Sequence, residues 1–165
     1  MPLTSSLSAG EADPQASEGG TVKPRSVYEA GWNEACRFKW IASEQARRDL
    51  GESAIRLWVR EHWNGFLRAR WVEHLYGRSF WLELDQNDFG LLTREFRDSS
   101  LLRPILDQLI QRKENLDVIC WAQAEYEAGR ISSVDDVLEI LEALDINSRR
   151  LEFQLENRLD DPDPR

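Results

Sequence analysis

Apolar residues recur at helical spacing over most of the chain. In residues 26–50 and 52–76 they return every three or four positions, which is the period of an amphipathic helix. Ser26, with a glutamate three positions later, predicts a capping box at the start of the first helix. Gly51 and Gly77 are predicted to end the two helices, because glycine readily takes the left-handed conformation of a C-terminal cap.

The second half of the chain predicts three more helices. Two of them cover residues 101–113 and 115–129. The last begins at a Ser133 cap and continues to about residue 159, so at ~1.5 Å per residue it would be about 40 Å long. Alternating apolar residues near 79–85 allow at most one short strand or hairpin. The sequence therefore predicts an all-α single domain of about five helices with a long C-terminal helix.

Composition sets the predicted limits of this domain. Residues 1–25 are rich in Ser, Gly, Ala, Pro and Glu, which predicts a disordered N-terminal tail. Residues 160–165 repeat Asp and Pro and are expected to fray, which leaves 26–159 as the helical domain. Seven tryptophans predict a compact core. Two distant cysteines, no apolar run of the ~20 residues that span a membrane, and no signal-peptide pattern predict a cytoplasmic protein.

Charge points to one side of the second predicted helix. The formal net charge is −9, yet residues 32–78 carry a net charge of +3. Arginine beside tryptophan is typical of protein interfaces and also binds nucleic acid, and the overall negative charge favours a protein partner. Coverage of this side by the acidic last helix is the structural alternative. The predicted interaction surface consists of Arg60, Asn64, Arg68, Trp71, His74 and Arg78.

The leucines of the last predicted helix offer a second contact surface. Their spacing suits either docking on the helix's own domain or pairing with a second copy as a coiled coil, which would make a homodimer. The predicted oligomer face consists of Leu138, Leu141, Leu151 and Leu155.

Motifs for catalysis or metal binding are missing from the sequence. Residues 85–90 resemble the start of a calcium loop, but Phe89 and Phe96 stand where oxygen ligands are needed. His62 and His74 are twelve residues apart, about 18 Å along one helix, so they cannot share a metal. We expect no catalytic residue, no metal and no cofactor. An enzyme or metalloprotein centred on His62 or His74 is the alternative, although His62 is more simply explained as a hydrogen-bonded core residue.

Several segments together resemble an uncharacterised family of small bacterial proteins. The resemblance covers roughly residues 35–92 and implies a bacterial cytoplasmic protein, with no activity, ligand or catalytic residue to transfer. It rests on Lys39-Trp40-Ile41, Ser43-Glu44, Asp49-Leu50-Gly51, residues 58–63, 65–71 and 73–75, Phe80-Trp81 and Asp88-Phe89-Gly90.

These observations favour a non-enzymatic protein–protein interaction or assembly protein. A nucleic-acid-binding protein that uses the arginine–tryptophan side of the second helix is the first alternative, and the histidine-centred enzyme is the second.

Overall fold

In a computed structural model, which describes residues 22–155, the chain starts with two long helices that pack side by side. Helix α1 spans Val27–Ala46 and helix α2 spans Gly51–Tyr76. The all-α prediction is confirmed, with six α-helices in the described part where about five were predicted. The other four are α3 (Leu91–Glu95), α4 (Leu102–Ile110), α5 (Asn115–Glu127) and α6 (Asp135–Leu144).

The predicted tails lie almost entirely outside the described residues, as do positions 156–159 of the predicted domain. Arg25, which the prediction assigned to the N-terminal tail, pairs with Trp81 in an isolated parallel bridge. Its amide donates to the carbonyl of Phe80 over 3.0 Å, and its carbonyl accepts from the amide of Leu82 over 2.9 Å. This bridge is all that remains of the strand considered near residues 79–85, and the described residues contain no strand.

Helix α1 begins where its cap was predicted. The hydroxyl oxygen of Ser26 accepts the amide of Glu29 over 3.3 Å. The carboxylate of Glu83, from the loop after α2, accepts the Ser26 hydroxyl and, over 2.8 Å, the amide of Val27. A carboxylate at this end also opposes the positive end of the helix dipole. The start of α1 is therefore tied to that loop.

The turn between α1 and α2 differs from the prediction in one respect. Arg47, not Gly51, is the left-handed cap of α1, with φ 54° and its amide bonded to the carbonyl of Glu44. Gly51 instead opens α2 with φ 58°. Gly77 ends α2 as predicted, with φ 81°. A connection of only four residues, 47–50, returns α2 along α1.

The close contact between α1 and α2 is made at Gly31. A methyl group at this position would lie 2.6 Å from Cζ3 of Trp63. The Trp63 ring stacks on Tyr28 with a centroid separation of 6.0 Å, and its Nε1 donates to the carbonyl of Leu151 over 2.7 Å. These two contacts hold Trp63 in place, so it cannot easily move away from α1. Partial burial, and to a smaller extent the negative charge of Glu83, raises the pKa of the Tyr28 phenol above its usual value.

Replacing Gly31 by Ala is expected to lower the free energy of unfolding by about 1–3 kcal/mol, because the added methyl overpacks the site. Alanine alone would favour the helix by about 1 kcal/mol over glycine, so the clash must reverse that sign. Gly65→Ala in α2 is the matched control, since its methyl would meet only the flexible end of Arg112, at 3.4 Å. Urea denaturation of both variants should show a loss for Gly31→Ala and none for Gly65→Ala; equal stability would contradict the contact.

His74 holds the loop between α2 and α3. Its ring is fully buried; Nδ1 accepts the amide of Trp81 over 3.1 Å, and Nε2 lies 2.8 Å from the carbonyl of Asp85. These partners place the ring proton on Nε2, which donates to that carbonyl. Trp81 is buried as well, and its own Nε1 donates to the carboxylate of Glu73 over 3.2 Å. The His74 side chain thus accepts one hydrogen bond from the backbone of the loop and donates another to it.

The remaining helices extend the pair α1 and α2 by packing on α2 and then on one another. Helices α3 and α4 contact α2, α5 contacts α4, and α6 contacts both α3 and α5. Their inward faces join those of α1 and α2 in one core. Its fully buried aliphatic side chains include Leu75, Leu92, Ile105, Leu109, Val118, Val137 and Leu144.

The predicted long C-terminal helix is wrong, because α6 ends at Leu144. Asp145 takes the left-handed conformation with φ 44°. Arg149 then folds back, and its Nε donates to the carbonyl of Leu144 over 2.6 Å. Its guanidinium also pairs with Asp88 and lies 4.9 Å from the centroid of the Trp71 ring. These tertiary contacts replace the helical bonds that would have continued α6.

Residues 145–155, which we call the C-terminal segment, run without helical structure back to α1 and α2. The carbonyl of Leu151 accepts from Trp63, and the ring of Phe153 packs edge-on against Trp63 with a centroid separation of 4.8 Å. Ile146 and Leu155 are buried. The apolar residues that suggested a continuing helix therefore fill the core from an irregular segment.

Candidate interaction groove

The six residues of the predicted interaction surface do not form one surface. Trp71 and His74 are buried, whereas Arg60 and Arg78 are exposed. Arg68 turns to the start of α5, where its guanidinium lies 3.3 Å from the carboxylate of Glu114. Asn64 is exposed. The guanidinium of Arg149 lies over the Trp71 ring. A C-terminal element therefore covers this side, although that element is not a helix.

The two histidines differ in burial from what the sequence suggested, because His74 and not His62 is the core residue. His74 is the buried, hydrogen-bonded core residue, and both of its ring nitrogens are used by backbone groups. His62 is only half-buried and packs against Phe38 and Trp58, with ring centroids 5.5 and 6.5 Å away. No group of three or more His, Cys, Asp and Glu side chains within residues 22–155 could hold a metal ion.

The predicted oligomer face is also broken up. Leu141 and Leu155 are buried in the protein's own core, and Leu151 is half-buried in the C-terminal segment. Leu138 is the one member that stays exposed, at 40%. A continuous leucine stripe needs a continuous helix, and α6 stops before two of the four positions.

A different surface feature runs along α2. Three depressions of about 470, 450 and 90 Å³ follow one another along the helix from Ser53 to Tyr76. Ile110 lines both the middle and the last of them, so these two adjoin, and we call them together the α2 groove. The first depression lies on the other side of α2, because at about 100° per residue Ser53 and Arg60 are turned roughly 160–180° from His62. At ~1.5 Å per residue, the stretch of α2 that lines the groove, residues 58–76, is about 27 Å long.

The middle depression, which is the larger part of the α2 groove, is lined by aromatic side chains. Phe38 comes from α1, while Trp58, His62 and Phe66 come from α2. Trp58 and Phe66 meet edge-to-face with their ring centroids 5.7 Å apart. Ring pairs of this kind form a rigid apolar surface that a partner side chain can contact without ordering it first.

Arginine dominates the polar lining of the α2 groove. Five arginines line it, against three carboxylates, although the chain as a whole has a net charge of −9. Of the predicted interaction surface, Arg78 lies in the groove, whereas Arg60 lies in the first depression and pairs with Glu61 over 3.6 Å. Two of the three carboxylates pair with groove arginines, Glu34 with Arg37 and Glu73 with Arg70. The arginines are Arg37, Arg70, Arg78, Arg103 and Arg112, and the carboxylates are Glu34, Glu73 and Asp107.

Arg112 is the best placed of these cations for a ligand. Its guanidinium lies over Gly65 of α2, where an added methyl group would be 3.4–3.6 Å from the nearest guanidinium atoms. The backbone of Arg112 is left-handed, with φ 66°, just after the end of α4. Arg70, by contrast, already pairs with Glu73 over 2.9 Å and lies 4.6 Å from the Phe66 ring centroid. The described residues place no carboxylate within ion-pair distance of Arg112.

Two exposed apolar residues stand beside the groove on α1. Ile41, 40% exposed, lines the middle depression. Trp40 is 65% exposed, and at about 100° per residue it points away from Gly31 and the core. Neither residue belongs to the interaction surface predicted from the sequence.

Comparison with known proteins adds no relative: no family model, curated protein or solved structure matches the chain. The likeness to a bacterial family therefore stays a prediction. No helix in residues 22–155 is long and apolar enough to cross a membrane.

Proposed function

We propose that the chain is a non-enzymatic interaction protein whose α2 groove binds an acidic segment of a partner protein. The observation that carries this proposal is the excess of arginine over carboxylate along one groove of a chain with a net charge of −9. A positive groove on an otherwise negative surface steers acidic partners and repels basic ones.

The residues of the groove suit such a segment in two ways. Arginine forms paired, charge-assisted hydrogen bonds with carboxylates, and Arg112 has no carboxylate partner among the described residues. Phe38, Trp58 and Phe66 offer an apolar surface between the charges. An extended chain rises about 3.3 Å per residue, so a groove of this length accommodates roughly eight residues. The fitting segment therefore combines acidic with apolar side chains.

The test is a titration with a synthetic peptide in which glutamate and leucine alternate, followed by fluorescence anisotropy. We expect Arg112→Glu to weaken binding at least roughly tenfold, which corresponds to about 1.4 kcal/mol. Arg97→Glu is the matched control, because Arg97 is an exposed arginine that does not line the groove. A peptide with lysine in place of glutamate should not bind. Equal loss in both variants, or equal binding of both peptides, would contradict the proposal.

Nucleic-acid binding is the second candidate, since the arginines would also attract phosphate. Trp71, the side chain expected to stack on bases, is buried and therefore does not support it. A single-stranded oligonucleotide titrated under the same conditions separates the two. Oligonucleotide binding with a steep dependence on salt, without binding of the acidic peptide, would favour this second candidate.

A further inference from the structure

We propose that residues 1–21 of the chain occupy the α2 groove in the absence of a partner and compete with the partner's acidic segment. This inference rests on the proposed function, because it assigns the same cations to an internal competitor. Residues 1–21 lie outside the described part of the chain, so three observations carry the argument: the charge of this segment, the place where the described chain begins, and the distance to be covered.

The charge of the segment is complementary to that of the groove. Residues 1–21 contain Glu11, Asp13 and Glu18 and no lysine, arginine or histidine. They also contain Leu3 and Leu7, which are apolar side chains of the kind that the aromatic lining of the groove can contact. The segment therefore has the composition proposed for the partner: carboxylates with a few apolar anchors.

The described chain begins next to the groove. Arg25 is tied by its backbone to the loop at Trp81 and its guanidinium lies 4.8 Å from the Trp81 ring centroid. The guanidinium of Arg70, which lines the middle depression, lies 5.7 Å from the centroid of the same ring. Trp81 also donates to Glu73, which lines the last depression. One indole ring thus separates Arg25, the fourth described residue, from the groove.

The segment is long enough to follow the whole groove. Twenty-one residues span up to roughly 70 Å when extended, more than twice the length of the lined stretch of α2. A tethered segment has a local concentration in the millimolar range, so even weak contacts keep it in place. A partner with more carboxylates or better apolar anchors displaces it.

Photo-cross-linking on the full chain tests the contact directly. A benzophenone amino acid in place of Ile41 should cross-link, by mass spectrometry of the digest, to a peptide from residues 1–21. The same amino acid in place of Leu138, which has the same 40% exposure but lies on α6, is the control and should not. Reversing the three acidic charges (Glu11→Lys, Asp13→Lys, Glu18→Lys) should abolish the product. No product at Ile41, or equal products at both positions, would overturn the inference.

A peptide titration separates this inference from the proposed function. With the glutamate–leucine peptide, the charge-reversed chain should bind at least about fivefold more tightly than the natural chain, because the competitor is gone. Equal affinity would remove the competition and leave the groove's proposed function standing. No binding to either chain would contradict the proposed function, whereas the cross-link reports on residues 1–21 independently of any added peptide.

Discussion

Leu141→Asp is expected to lower the free energy of unfolding by more than about 4 kcal/mol or to prevent folding. Leu141 lies on the inner face of α6 and is 5% exposed. Removing a buried leucine side chain costs about 2–5 kcal/mol, and a carboxylate in its place must also be desolvated or protonated. Circular dichroism in increasing urea, at matched protein concentration, measures the loss.

Leu138→Asp is the control on the same helix. Leu138 is 40% exposed, so this change should alter stability by less than about 1 kcal/mol. The pair also tests the homodimer predicted from the leucine pattern. If Leu138→Asp turns a dimer into a folded monomer, while Leu141→Asp stays folded too, the leucines form an intermolecular face and the assignment of Leu141 to the core is wrong.

His74→Phe is expected to lower the free energy of unfolding by about 2–4 kcal/mol. Phenylalanine keeps a ring at this fully buried position but can neither accept the amide of Trp81 nor donate to the carbonyl of Asp85. Each buried polar group left without a partner costs about 1–3 kcal/mol. The loop of residues 77–90 should loosen as well, which amide hydrogen exchange would detect at Trp81.

His62→Phe is the matched control for this second substitution. His62 lies on the same helix, is half-buried, and packs on Phe38 and Trp58 with no ring hydrogen bond among the described residues. Its replacement should change stability by less than about 1 kcal/mol. If His62→Phe proves as costly as His74→Phe, the assignment of the core histidine to position 74 is wrong.

Local signals explain why the first two helices were predictable from the sequence. The Ser26 cap and the left-handed Gly77 act on neighbouring backbone groups, and the apolar period between them is long and regular. The shift of the α1 cap from Gly51 to Arg47 changes one boundary by a few residues without changing which element forms. A glycine near the end of a helical pattern marks the region of a cap more reliably than its exact position.

The C-terminal segment shows what local signals miss. Its apolar residues keep a helix-like spacing past Leu144, so the pattern alone favours a longer helix. Beyond Leu144 the chain makes contacts with residues distant in sequence instead: Asp88 pairs with Arg149, and Trp71 lies under its guanidinium. Neither contact could be recognised before the fold was known.

The same limit applies to the candidate site. The α2 groove combines residues of α1, α2 and the end of α4, so no single helical wheel displays it. The sequence analysis recovered Arg78, which lies in the groove, but joined it to Trp71 and His74, which are buried. A glycine inside a helix is a signal of close approach, and Gly65 of α2 lies against the guanidinium of Arg112.

The most direct test of the account is an NMR map of the glutamate–leucine peptide on the uniformly ¹⁵N-labelled chain. The account predicts that the largest amide shifts fall along the α2 groove, at Phe38, His62, Gly65 and Ile110. Shifts centred instead on α6 around Leu138, or an unchanged spectrum at saturating peptide, would contradict it.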